Sequence, residues 1–140
     1  MTIPEKEQEI IEEFSIFEDW MDKYNYLIEL GQSVPLIDEH HRNESHLISG
    51  CQSRVWISAE MEEDKMMLKA DSDAVITKGI VYLLIQVLSG QKPSDILKCD
   101  FSFLDKIGLR DHLSPTRANG LTSMIKQIKL YALAFQAKGN

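Results

Sequence analysis

The stretch Ile76 to Leu88 constrains this chain more than any other, because Ile76, Ile80, Leu83, Leu84, Val87 and Leu88 recur at three- and four-residue steps over a nearly uncharged helix. A helix this apolar on so broad a face has to be covered on several sides, so the rest of the chain is expected to fold around it. Its ends are also marked. Asp73 is the expected N-cap and Gly90 the residue that stops it.

Upstream of that helix the period changes from 3.6 to 2. Val55, Ile57 and Ala59 alternate with Arg54, Trp56, Ser58 and Glu60, and after Glu62-Glu63-Asp64 a second run extends over Lys65 to Ala70. Two alternating runs around a short polar turn predict an antiparallel hairpin. An edge strand at Ser45 to Ile48 would make the sheet three-stranded. The flanking segments are helical: Glu5 to Glu13 behind Pro4, then Ile16 to Leu30 with Gly31 as a left-handed stop. Beyond Gly90, Pro93 to Lys98 and Asp100 to Lys106 read as short helices. Ser114-Pro115 opens a long one through Leu121, Met124, Ile125, Ile128, Tyr131 and Phe135. Helices, a small antiparallel sheet and helices again give the α+β class, with residues 1–140 expected as one domain.

Charge and composition exclude several functions. Fifteen Lys+Arg against 22 Asp+Glu give a net charge of −7, without a basic patch, which disfavours nucleic acid and anionic membrane surfaces as partners. No apolar run reaches the length of a membrane span and the N-terminus is acidic, so a cytoplasmic location is expected. Phosphate-binding glycine loops, dinucleotide fingerprints and the serine nucleophile elbow are missing.

Two cysteines remain as candidate chemistry, and their settings differ. Cys51 lies in the small-residue corner Ser49-Gly50-Cys51-Gln52-Ser53 immediately before the first strand, where Gly50 permits a bend and Gln52 supplies a polar neighbour. A thiol there can react through its thiolate, whose fraction rises beside cationic groups; Arg54 is near in sequence and His46 can approach only across a turn. Cys99, between Leu97-Lys98 and Asp100-Phe101, reads as a packing residue without a role. His40, His41 and His46 with Asp38 or Cys51 offer metal-ligand chemistry. They lack paired Cys-x-x-Cys or His-Glu-x-x-His spacing, so they are read as solvated loop residues and no metal is expected. Gly79 is read as a site of close packing. The polar first turns of the last helix, with Arg117, Asn119 and Gly120, suit binding.

Three blocks in order, Gly50-Cys51-Gln52-Ser53-x-Val55-Trp56, Asp71-Ser72-Asp73-Ala74-x-Ile76-x-Lys78-Gly79 and Leu113-Ser114-Pro115-x-Arg117-x-Asn119-Gly120-Leu121, resemble the SufE family of sulfur acceptors in iron–sulfur cluster assembly. The segment Trp20-x-x-Lys23-Tyr24-x-x-Leu27-Ile28-Glu29-Leu30-Gly31 with Pro35-Leu36 extends the similarity over nearly the whole chain.

The resemblance implies the fold shared with NifU/IscU-type scaffolds. It also implies a persulfide carried on Cys51, a cysteine desulfurase of the SufS or CsdA type as donor, and the SufBCD scaffold complex as recipient. Pyridoxal phosphate (PLP) would belong to the desulfurase, so no cofactor is expected on this chain. A homodimer is the oligomer the resemblance implies. It further places Asp73, Arg117, Asn119, Gly50 and Gln52 at the docking surface or in support of the cysteine loop. In the free protein Cys51 is expected to be partly sheltered, against Trp56 or an aliphatic neighbour. The competing readings are a thiol-dependent redox protein using Cys51, which would lack a resolving cysteine in Cys-x-x-Cys spacing, and a binding module in which Cys51 is inert.

Overall fold

The structure, a computed structural model, describes residues 1–48 and 53–138. The first helix, α1 (Ile3–Ser15), starts ahead of the expected Glu5 because Thr2 and Glu5 form a capping box: the Thr2 hydroxyl accepts from the Glu5 N–H, and the Glu5 carboxylate accepts from the Thr2 N–H. Ile3, Ile10 and Phe14 turn its apolar stripe inward. Helix α2 (Trp20–Gly31) begins later than expected, since the Asp19 carboxylate accepts from the Asp22 N–H and so sets the first turn there. Phe17 is left outside it, with its ring 5.1 Å from that of Tyr26.

The hairpin follows the alternation closely. Strand β1 (Val55–Glu62) pairs antiparallel with β2 (Lys65–Ser72) around Glu63, which takes a positive φ of 59°. The register places Val55 opposite Ser72, Ile57 opposite Ala70, Ala59 opposite Leu68 and Met61 opposite Met66 on the core face. The outer face carries Trp56 opposite Asp71, Ser58 opposite Lys69 and Glu60 opposite Met67.

Two strands, not three, make the sheet among the described residues. The expected edge strand at Ser45 to Ile48 contracts to one bridge, Leu47 with Trp56, held by Ile48 N–H to the Val55 carbonyl (2.8 Å) and Ile57 N–H to the His46 carbonyl (3.1 Å). It cannot extend backwards, because Asn43 folds the chain over: its side-chain oxygen accepts from the Ser45 N–H and hydroxyl. On the other edge Leu36 bridges Ala70, and Pro35, which has no N–H to donate, uses only its carbonyl.

Helix α3 (Val75–Leu88) crosses the core face of the hairpin and is buried nearly all round. Its N-cap is Ala74, not Asp73, whose carboxylate is engaged elsewhere. Past its end Gly90 takes φ +84°, as a stop residue should. Gly31 plays a different part from the one expected: it lies inside α2 and makes room for α3. A Cβ on Gly31 would meet the Gly79 nitrogen at 2.7 Å, and one on Gly79 would meet the Leu27 carbonyl oxygen at 2.1 Å. The two helix backbones therefore touch, which is the close packing expected of Gly79.

Helices α4 (Pro93–Lys98) and α5 (Ser102–Lys106) follow; α5 starts after Asp100 because Phe101 is left-handed, with φ 60°. The last helix, α6 (Pro115–Lys138), opens where Ser114-Pro115 predicts, the Ser114 hydroxyl accepting from the Arg117 N–H. It packs on α4, α3 and β1, buries Leu121, Met124, Ile128 and Ala132, and ties to the sheet where the Tyr131 hydroxyl donates to the Ile57 carbonyl (2.8 Å). The arrangement is α+β, as expected.

Candidate functional site

Cys51, Gly50 and Gln52 lie outside the described residues. Ser49 lies outside them too; the nearest described residues on either side, Ile48 and Ser53, are both anchored. On the incoming side Ile48 is buried and joined to Val55. On the outgoing side the Ser53 hydroxyl shares a 2.9 Å hydrogen bond with the buried Thr77 hydroxyl of α3. The next peptide is held from two directions. The Arg54 N–H donates to the Asp73 carboxylate (2.9 Å), and the Arg54 carbonyl accepts from the Asp73 N–H (3.2 Å) and the Ser72 hydroxyl (2.8 Å). Asp73 thus clasps the backbone three residues after Cys51. Its carboxylate is engaged by the Arg54 N–H and Ala74 is the N-cap of α3, which corrects the capping role expected of Asp73.

The outer face of the hairpin beside these anchors carries charge in an ordered array. Asp71 lies between Arg42 Nη1 and Lys78 Nζ, each 3.4 Å from a carboxylate oxygen. The Arg42 guanidinium also stands over the Trp56 ring, 4.6 Å from its centre, and Trp56, though on the outer face, is only 7% exposed. Trp56 and Asp71 are cross-strand partners on that face; alternation alone puts Trp56 there, and the pairing across the turn gives it Asp71. Arg42 comes from an aperiodic loop and had no such signal.

Arg117 is half-buried in the first turn of α6 and Asn119 is exposed. Among the described residues no hydrogen bond or ion pair joins the Arg117 or Asn119 side chain to Asp73. Cys99 is buried behind α4, 4.0 Å from a Glu7 carboxylate oxygen. Burial pushes its thiol up to about 11, with the Glu7 and Asp100 charges adding to the rise, so it stays protonated and unreactive near neutrality. It lines a groove of about 630 Å³ with Ile3, Pro4 and Gln91. The histidines form a cluster: ring centres lie 4.0 Å apart for His40 and His41 and 4.8 Å apart for His41 and His46. Burial, then the neighbouring His41 and His40, lower the His46 pKa.

The family described as "SufE: Fe-S metabolism associated domain" matches residues 8–132. The chain belongs to the SufE family. It is 38% identical over 126 residues to an uncharacterized SufE-like protein of Rhizobium meliloti, covering 86% of this chain and 90% of that one. It is 36% identical over 135 residues to one of Synechocystis, covering 96% and 85%. SufE-like protein 1, chloroplastic/mitochondrial, of Arabidopsis thaliana is 36% identical over 138 residues, which are 98% of this chain and 37% of that longer protein.

A solution structure of a hypothetical protein from Thermus thermophilus superposes with a TM-score of 0.78 over 96% of this chain and 97% of that one. At 23% identity it supports the fold. Membership of this SufE family places the chain in Fe–S metabolism. Among the described residues no helix is long and apolar enough to cross a membrane.

Proposed function

We propose that this chain is a sulfur acceptor, with Cys51 as the carrier. Its thiolate attacks the outer sulfur of a persulfide on a PLP-dependent cysteine desulfurase of the SufS type. The donor's S–S bond breaks, the donor cysteine leaves as thiolate, and Cys51 becomes the persulfide. Removing the persulfide from the donor raises its turnover, and the sulfur passes on to the SufBCD scaffold in a reducing, cytoplasmic setting.

The observation that carries this reading is the SufE match across residues 8–132 with Cys51 inside its Gly-Cys-Gln-Ser block. The anchored flanks support it. Ser53 and Arg54 are held by Thr77, Ser72 and Asp73, so the chain leaving Cys51 is fixed to the hairpin and to α3. With Cys99 protonated and packed away, Cys51 is the thiol left for the chemistry.

Mass spectrometry after incubation with SufS, PLP and L-cysteine tests the assignment. One added sulfur on Cys51, lost on reduction, is expected in the wild type and in Cys99→Ser, and none in Cys51→Ser. Cys51→Ser should still bind the desulfurase. No sulfur on Cys51 during donor turnover would exclude the carrier role. The same experiment with a CsdA-type donor tells whether the chain is instead a CsdE-type acceptor.

A further inference from the structure

The segment that runs from the hairpin edge toward Cys51 gathers imidazoles in a way its spacing did not announce. The 3-10 turn Glu39–His41 brings one ligand atom each from Asp38, His40 and His41 to within 4.8 Å of one another. We propose that these three side chains form a binding site for one divalent first-row transition ion such as Zn²⁺ or Co²⁺.

Ligand chemistry selects the class of ion. Two imidazoles and one carboxylate suit borderline transition ions, whereas Mg²⁺ and Ca²⁺ take all-oxygen shells. With bonds of about 2.0–2.2 Å, tetrahedral coordination needs ligand atoms about 3.4 Å apart. The remaining ångström or so is closed by side-chain rotation, which is free at Asp38 and His40 because both are exposed. Three protein ligands leave a position for water or an outside ligand.

The surroundings hold the turn in shape. Asn43 donates from Nδ2 to the His40 carbonyl (2.8 Å) and accepts at Oδ1 from the His46 ring nitrogen Nδ1 (3.0 Å). It therefore ties the backbone of one proposed ligand to the ring that stands beside the other, His41. The nearby cation does not oppose an ion, since Arg42 is turned onto Asp71 and Trp56. The net charge of −7 favours cations generally.

Equilibrium dialysis and Co²⁺ absorption spectroscopy on the untagged chain test the site, with circular dichroism checking each variant's fold. Wild type and Cys51→Ser are expected to bind one equivalent of Zn²⁺ or Co²⁺, and the Co²⁺ spectrum to lack thiolate-to-metal absorption. His40→Ala and His41→Ala should each weaken binding at least about tenfold, and Asp38→Asn should weaken it too. Failure of the wild type to saturate, undiminished binding in the His40→Ala/His41→Ala double variant, or loss of binding in Cys51→Ser would each overturn the proposal. None of these outcomes depends on sulfur transfer.

Discussion

Replacing Gly79 by alanine tests the contact on which the helical layer rests. In a helix interior the change should by itself favour folding by about 1 kcal/mol, because alanine loses less backbone entropy than glycine. Here the new Cβ would lie 2.1 Å from the Leu27 carbonyl oxygen and 2.7 Å from its carbon. Both atoms are α2 backbone, so no rotamer change relieves the clash. Restoring a separation of about 3.3 Å means moving α2 away from α3 by about 1.2 Å, which opens gaps around the fully buried Leu27, Leu83 and Leu84.

Overpacking of a core costs about 1–3 kcal/mol even where side chains can adjust, and a backbone clash belongs at or above the upper end. Net of the propensity gain, Gly79→Ala should destabilise by about 2 kcal/mol or more. Urea unfolding followed by far-UV circular dichroism would show a lower midpoint with an unchanged slope. Gly31→Ala should follow the same direction to a smaller extent, its closest approach being 2.7 Å. Wild-type or higher stability in Gly79→Ala would refute the claim that the α2 and α3 backbones are in contact. Because α3 also presents Thr77 to Ser53 and Lys78 to Asp71 of the hairpin, the shift should lower the proposed sulfur transfer as well.

Removing the Asp73 carboxylate takes the acceptor from the Arg54 N–H: Asp73→Ala should cost about 1 kcal/mol in urea unfolding and reduce sulfur acceptance more than that loss explains, while Asp73→Asn, which keeps an acceptor oxygen, should recover much of both. Equal behaviour of the two variants would show that the bond does not organise the loop. Arg42→Ala should uncover the Trp56 ring and shift its fluorescence to longer wavelength in a Trp20→Phe background, with a stability loss of about 0.5–1 kcal/mol; unchanged emission would contradict the stacking. At pH 8 native Cys99 should be alkylated far more slowly by iodoacetamide than in urea, since a pKa of about 11 leaves about one thiolate in a thousand. A folded pKa raised from 9.0 means stability is complete below pH 9 and falls as pH climbs through 11, and Cys99→Ala should flatten that limb of the pH–stability curve.

How much of this was legible in the residues follows from the range of the interactions concerned. The hairpin, the outward placing of Trp56, the apolar α3 and the start of α6 at Ser114-Pro115 all follow from period or from caps within a few residues. Cys51 stood out because of its immediate neighbours, and the three motif blocks identified its family.

Local sequence therefore determined the main helices, the hairpin and their order, and singled out Cys51 as the candidate thiol. Tertiary structure decided what joins across distance: that Asp73 clasps Arg54 instead of capping α3, that Gly31 faces Gly79, that the third strand stops at one bridge, and that Arg42 and Lys78 meet on Asp71. A carboxylate can satisfy any N–H that the fold brings within about 3 Å, and a glycine can serve either a turn or a crossing, so both acquire their parts only when the elements pack.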